Sequence, residues 1–544
     1  MTGAGTVAAL LEARAADQAP GLRYRDQQWT GAEVVAESRA RAARAQGLRI
    51  DGPWHIGVLL PNVSEYLFWI GGAALAGATI VGVNPTRRGP ELSHDIRHTD
   101  CQALVTDAAG AELLRGVDTG VDPSRTIRID EGKPGNTAAL SRAAPAPEDL
   151  LFLLFTSGTT GAPKAVRCTQ GRLAAIADNV VGRYGFVRDD VCYCPMPLVH
   201  GNALMALWAG ALRVGACVAL PTEGRFSARG FLGDVRRHGA TYFTYVGKAL
   251  TYVLATEART DDADNPLTRG FGNEASDHDI ARFERRFGCR IIEGYGSSEG
   301  GAVITRVPDM PAGSLGVGAP GVLVANPATG AECPPARFGP GGRLENAAEA
   351  IGEIANSLGA PGFEGYYRNA EADAERVRDG WYWSGDLGYR DEAGFFYFAG
   401  RGSDWVRVDG ENFAAAPVER ILGRWDPVTM AAVYAVPDPM SGDQVMATLV
   451  LREGTPFDPV GFDAFLAAQP DLGTKWAPSL IRIARDLPLT ASGKVRKEPL
   501  RAQAWAVDDD VWLRHAGGYQ RLTASDRERL EGQFAAHGRA ALLP

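Results

Sequence analysis

The stretch LLFLLFTSGTTGAPK, residues 150–164, carries the first decision about the fold. Its apolar half is short and bounded by turn residues, which predicts a buried strand. A polar loop comes next. Thr156, Ser157, Thr159 and Thr160 supply hydroxyls, Gly158 and Gly161 let backbone N–H groups approach a ligand closely, and Lys164 adds charge. A strand running into such a loop suits a bound anion, and the density of donors suits a triphosphate. The loop is not of the GxxxxGK[ST] type, because Ala165 follows Lys164 and Pro163 precedes it.

Working outward, short apolar runs alternate with amphipathic stretches. HIGVLL (55–60), TIVGV (79–83) and ALVTD (103–107) read as strands before the loop; CVAL (217–220), ATYFTYV (240–246) and RIIEGYG (290–296) read as strands after it. That rhythm predicts an α/β layer fold with parallel sheet. From about residue 313 Gly and Pro accumulate. The segment GWYWSGDLGYRDEAGFFYFAGR (380–401) then alternates aromatics with turn residues, predicting antiparallel hairpins and a small β unit. A new α/β pattern begins after Arg401. The expected organisation is a large domain over 1–402 and a smaller one over 403–544.

Length and composition exclude several classes. At roughly 150 residues per domain, 544 residues imply three or four units. The chain is 45% apolar and 22% charged, near globular averages, which excludes global disorder. With 56 basic against 65 acidic residues the net charge is −9, which does not favour a nucleic-acid partner. Seven scattered cysteines fit no zinc spacing and read as free thiols of a reducing compartment, hence a cytoplasmic protein. The first 20 residues lack a basic n-region and do not read as a signal peptide. The uncharged run LFWIGGAALAGATIVGV (67–83) is at the short limit for a membrane span. Its Gly and Ala content and β-branched end predict a closely packed buried helix followed by a strand, with no transmembrane segment.

Three further motifs stand out. In Tyr295-Gly296-Ser297-Ser298-Glu299 an aromatic at a strand end can stack on a base, serines can bond a phosphate, and Glu299 offers a hard oxygen to Mg2+. In Ser384-Gly385-Asp386, with Arg401 fifteen residues on, the Asp can accept both hydroxyls of a ribose and the Arg can bridge ribose and phosphate. In LTASGK (489–494) a small separate domain presents Lys494 on a Gly turn. The segment Gly316-Val-Gly318-Ala-Pro-Gly321 fits GxGxxG, but Pro320 interrupts it and no helix with a ribose-binding acid follows, so it reads as a linker.

In this order and at these separations, the motifs resemble the AMP-forming adenylating superfamily of acyl-CoA synthetases, luciferases and peptide-synthetase adenylation domains, from about residue 25 to 525. Asn84-Pro-Thr-Arg87-Arg88, Tyr245-Val-Gly-Lys248, Gly272-Asn273-Glu274, DWVRVDGENFAAAPVE (404–419) and DDDVWLRHAGGYQRLT (508–523) resemble the fatty-acid-transport, very-long-chain branch. The resemblance implies a large domain of stacked α/β layers plus a small β unit, then a small mobile α+β domain. It implies ATP, Mg2+ and CoA, and a two-step reaction: a small-molecule carboxylic acid, fatty or aromatic, becomes acyl-AMP with release of pyrophosphate, and CoA thiol then displaces AMP.

By the same resemblance Thr156, Ser157, Gly158, Thr159, Thr160, Gly161 and Lys164 would hold the β- and γ-phosphates. Thr160 would stand with Glu299 at Mg2+. Tyr295, Gly296 and Ser297, with Gly272, Asn273 and Glu274, would border the adenine. Ser298, where relatives usually have Thr, would bond the α-phosphate. Asp386 and Arg401 would hold the ribose, and Lys494 would bridge carboxylate, α-phosphate and ribose in the first step. His200 would separate the acyl and CoA tunnels, Gly410 would line the pantetheine path, and residues 401–404 would be the hinge, with Ser403 where Asp or Lys is common. One alternative keeps the adenylation chemistry but changes the acceptor or the acid, for example nitrite activated for attack by an arylamine. A catalytically silent homologue is another. Oligomeric state and acyl chain length are not readable.

Overall fold

The apolar run at 67–83 folds as the helix Ser64–Ala76 and the strand Thr79–Gly82, both buried. Gly77 ends the helix at φ 71°, a left-handed conformation that glycine reaches without a Cβ clash. The small residues inside the helix serve contact. A Cβ on Gly72 would stand 2.7 Å from the Cβ of Arg41, on the neighbouring helix Gly31–Gly47. Among the described residues no helix is long and apolar enough to cross a membrane. The computed structural model describes residues 5–131, 144–156, 164–247, 249–273, 275, 277–339, 344–401, 405–408, 411–440, 443–473, 475–490, 494–515 and 517–544.

The chain divides into two compact units. The first comprises Met1–Ala275, Asp279–Gly300 and Pro361–Glu375. One of its sheets runs in the order Thr126–Arg128, Cys101–Thr106, His55–Leu59, Thr79–Gly82, Leu150–Thr156, Lys164–Thr169. All neighbours are parallel except the last pair. A second run of strands is ordered Arg290–Tyr295, Arg269–Asn273, Tyr242–Val246, Val191–Tyr193, Cys217–Ala219, Pro20–Tyr24, and is parallel throughout. Gln27–Thr30 closes it as an antiparallel edge. One continuous core joins both sheets to the helices: Ile56, Ile80 and Phe152 meet Trp69, Leu173 and Leu207, and beyond them Tyr193, Tyr242 and Phe243. This is the stacked α/β layer fold expected from alternating strands and helices.

The second unit comprises Ser276–His278, Gly301–Ala360 and Arg376–Pro544. Its first part is antiparallel, in the order Val322–Ala325, Gly352–Asn356, Trp381–Arg390, Phe395–Arg401, Gly316–Gly318, Ile304–Thr305. Gly316–Gly318, expected to be linker, is therefore a short strand of this sheet. Its second part is the sheet Val428–Pro437, Asp443–Leu451, Leu480–Ile483, Asp510–His515, Gly518–Arg521. The helices Ala415–Leu422 and Pro459–Ala467 contribute Val418 and Phe462 to the same core as Val433, Leu449 and Ile481. The fold is α/β with a large N-terminal and a smaller C-terminal part.

Candidate active site

Parallel strands place ligands in the crevice at their carboxyl ends. Val246, Asn273 and Tyr295 are the last residues of three such neighbouring strands, and Val246 pairs with Asn273 in register. The Asn273 Nδ2 donates to the carbonyl of Gly294, tying two of these ends together. Beneath them the Tyr245 ring is packed against Gly272, where a Cβ would lie 2.5 Å from ring carbons. Its hydroxyl donates to Glu293, whose Oε1 also accepts from the Ala275 N–H at 3.1 Å. Past Tyr295 the chain turns. Gly296 and Ser297 are exposed, Ser298 is half-buried and Glu299 is buried.

Glu299 is 6% exposed, and a carboxylate at that depth needs partners. The hydroxyl of Tyr366 donates to its Oε1 at 2.9 Å. Arg172 fixes the backbone beneath it, donating through Nη2 to the carbonyls of Ser298 at 2.5 Å and Glu299 at 2.9 Å. On the other side, the Ser298 Oγ borders Gly201, whose added Cβ would stand 2.7 Å from it. The half-buried His200 precedes that glycine, at the start of helical chain running to Val214. A π-helical turn over Leu204–Trp208 interrupts this helix, a distortion common at functional sites. All five residues of the turn are buried. The Asn202 Nδ2 donates to the carbonyl of Tyr245 at 3.2 Å, joining this helix to the strand ends.

The strands that flank residues 157–163 are paired with each other. Thr156 lies opposite Lys164 in an antiparallel register, and its hydroxyl donates to the Lys164 carbonyl at 3.4 Å. The Lys164 Nζ is 2.8 Å from Glu375 Oε2 and 5.5 Å from the centroid of the Tyr366 ring. Thus Thr156, Lys164, Ser298, Glu299 and His200 converge within the first unit. Ser157, Gly158, Thr159, Thr160, Gly161, Glu274 and Gly410 lie outside the described residues, as do Lys248 and Ser403 of the expected hinge.

In the second unit Asp386 and Arg401 are directly opposite on the hairpin Trp381–Arg390 and Phe395–Arg401. The Ser384 hydroxyl accepts from the Asp386 N–H at 3.1 Å and donates to the Ile354 carbonyl at 2.6 Å, so the SGD segment, which lies within the strand, is fixed to the neighbouring strand. The Gly385 N–H donates to Glu353 Oε1 at 2.6 Å. Burial pushes the Glu353 carboxyl above its ordinary range, against the pull of that N–H and of Arg378. Lys494 is half-buried beside Thr490: its N–H donates to Thr490 Oγ1 at 3.1 Å, and its carbonyl accepts from the Thr490 N–H at 2.7 Å.

Sequence reasoning missed Tyr366, Arg172, Glu364 and Glu375. Glu364 accepts from both the N–H and the hydroxyl of Thr169, at 2.8 and 2.6 Å, anchoring the far end of the strand that starts at Lys164. No local pattern announces these four.

The AMP-binding enzyme family model matches residues 11–355, and the AMP-binding enzyme C-terminal domain model matches residues 417–494. The chain belongs to the AMP-binding enzyme family. Within that family it is an AMP-forming acid–CoA ligase. It is 54% identical to the steroid-22-oyl-CoA synthetase of Rhodococcus jostii, over 99% of each chain. To the medium/long-chain-fatty-acid–CoA ligase FadD17 of Mycobacterium tuberculosis it is 46% identical, over 90% of this chain and 93% of the relative. Its fold matches a crystal structure of the anthranilate CoA ligase AuaEII in complex with anthranoyl-AMP. The TM-score is 0.79 at 20% identity, covering 92% of this chain and 97% of the other. ATP and CoA are accordingly its cosubstrates, and the reading with a non-CoA acceptor is not favoured.

Proposed function

We propose that the acid is a large apolar carboxylic acid, and specifically a steroid bearing a side-chain carboxylate. The observation that carries this is the 54% identity, end to end, with a steroid-22-oyl-CoA synthetase. The buried apolar turn Leu204–Trp208 beside His200 supplies a wall of matching chemistry. A medium- or long-chain fatty acid is the second reading, favoured by the relative at 46% identity.

In the first step an oxygen of the acid's carboxylate attacks the α-phosphorus of ATP, and the bond to the β-phosphate oxygen breaks with loss of pyrophosphate. In the second, the CoA sulfur attacks the acyl carbon and AMP leaves. Positioning and charge neutralisation dominate such transfers. Lys164, Thr156 and the 157–161 loop hold the β- and γ-phosphates, Ser298 bonds the α-phosphate, and Tyr295 with Gly272 and Asn273 borders the adenine. Asp386 and Arg401, opposite each other on their hairpin, take the ribose. Lys494 offsets repulsion between the two anions in the first step. Residues 403–544 rotate as the mobile domain between the steps, with Gly410 on the CoA path and His200 at the boundary of the acyl site.

The donor set fits Mg2+. The buried Glu299 commits Oε1 to Tyr366, and its Oε2 makes no hydrogen bond among the described residues. One carboxylate completed by phosphate oxygens is what this cation takes. When bound it supplies positive charge to the phosphates. Thr160 is the second residue proposed there.

The test is mass spectrometry of reactions holding ATP, Mg2+ and one acid each, with and without CoA. The acids are a steroid side-chain acid, fatty acids of graded length, benzoate, and nitrite with an aminobenzoate. AMP together with the steroid thioester is expected. A thioester from fatty acids alone selects the second reading, and AMP without any thioester overturns CoA as acceptor.

A further inference from the structure

We propose that Tyr366 is a positioning residue for nucleotide activation, holding the Glu299 carboxylate and the Lys164 ammonium in one arrangement so that the metal and the triphosphate meet both prepared. This rests on the reading of Glu299 as the Mg2+ ligand and Lys164 as a phosphate ligand. Three observations support it. First, the hydroxyl donates to Glu299 Oε1 at 2.9 Å, which fixes the carboxylate and leaves Oε2 for a metal. Second, the ring face lies 5.5 Å from the Lys164 Nζ, within range for cation–π attraction. Third, Tyr366 cannot itself drift. It is 3% exposed, packs with Val166, Ala372 and Phe363, and its N–H donates to Asp373 Oδ1 at 2.7 Å. On either side of it the backbone is laced to the strand that begins at Lys164. The Arg167 N–H donates to the Gly365 carbonyl at 3.0 Å and the Tyr367 N–H to the Ala165 carbonyl at 2.8 Å. One side chain therefore ties two groups that lie 135 residues apart in sequence to the same rigid edge.

The two functions of the side chain separate by substitution. Tyr366→Phe keeps ring and volume and removes only the donor. Residues that orient a metal ligand from the next layer typically change metal affinity about 10–100-fold when lost. Tyr366→Phe is expected to raise the Mg2+ concentration for half-maximal activity roughly tenfold. Excess Mg2+ should restore the rate, with KM for CoA and the thermal midpoint unchanged. Tyr366→Leu, which also removes the ring, is expected to raise KM for ATP even at saturating Mg2+. A purely structural role would move the midpoint and every KM together, and that outcome overturns the proposal.

Direct titration of binding of Mg2+ with ATP, without acid or CoA, keeps the test independent of the substrate. If Glu299→Gln does not weaken that binding, the metal-site reading fails. If Glu299→Gln weakens it and Tyr366→Phe does not, the positioning role of Tyr366 fails.

Discussion

The ammonium of Lys164 is paired with the carboxylate of Glu375, Nζ to Oε2 2.8 Å, across 211 residues of sequence. Lys164 is 13% exposed and Glu375 58%. An internal carboxylate therefore occupies the cation that we assign to the triphosphate, and ATP must displace it. A pair with one partner largely in solvent is worth at most about 1 kcal/mol, so the competition is mild. Glu375→Gln is expected to lower KM for ATP about two- to threefold, within that energy. Initial rates against ATP at fixed Mg2+ check it, and an unchanged or raised KM would show that Glu375 does not compete.

Gly272 sits where no side chain fits. Its neighbour across the ladder, Tyr245, is 1% exposed and anchored through its hydroxyl to Glu293. A Cβ at 272 would meet the ring at 2.5 Å, so ring or strand must move. Overpacking of this kind costs about 1–3 kcal/mol. Gly272→Ala is expected to lower the thermal midpoint by several degrees. It is also expected to weaken nucleotide binding more than the midpoint alone implies, because the strand ends at Asn273. Thermal unfolding and ATP titration of the same sample separate the two effects.

The strands were readable in the sequence because burial on both faces leaves continuous apolar runs, as in LLFLLF at 150–155. The facing of Asp386 and Arg401 was also within reach, since an antiparallel hairpin with a turn near Gly394 puts residues fifteen apart side by side. Tyr366 was not. Its partner Glu299 is 67 residues away, and the Arg172 contact to Ser298 spans 126. Such pairs leave no periodicity behind. Arg172 reads locally as an exposed helix residue, and Tyr366 as one more aromatic after a glycine. Only the folded backbone reveals that both serve Glu299.

Asp95 carries a stability prediction. It lies on the helix Gly89–His98 and is 1% exposed. Burial pushes its carboxyl up to about 6 from 3.8, against Arg87 and His94, with Glu91 adding to the rise. The folded state therefore binds a proton more tightly than the unfolded state. Stability contributed by that proton is present below pH 4 and is lost as pH rises through about 6. At pH 8 the group is buried and charged, a cost of about 2–3 kcal/mol for a shift of this size. Asp95→Asn is expected to be more stable than the parent chain at pH 8 and nearly equal to it at pH 4. Chemical denaturation at the two values checks this. A variant less stable at pH 8 would mean that the ion pair with Arg87, at 3.5 Å, outweighs the burial.

Lys494 is the sharpest test of the division of labour between the two steps. The Thr490 N–H donates to the Lys494 carbonyl and the Lys494 N–H donates to the side-chain Oγ1 of Thr490; both bonds use only the backbone of residue 494, and an alanine keeps both. Removing the side chain therefore removes a charge while the Thr490–Lys494 backbone pairing persists. In the first step as proposed, that charge would offset the repulsion of carboxylate and α-phosphate only while both are present. Deleting one preorganised group that stabilises transition-state charge costs about 10²–10³ in rate. Lys494→Ala is expected to lose at least that much in acyl-AMP formation, followed by pyrophosphate release. Thioester formation from supplied acyl-AMP and CoA has no such anion pair to neutralise and should proceed near the parental rate. Equal loss in both half-reactions would place Lys494 in a role common to the two steps, such as binding the AMP moiety, and would end the first-step assignment.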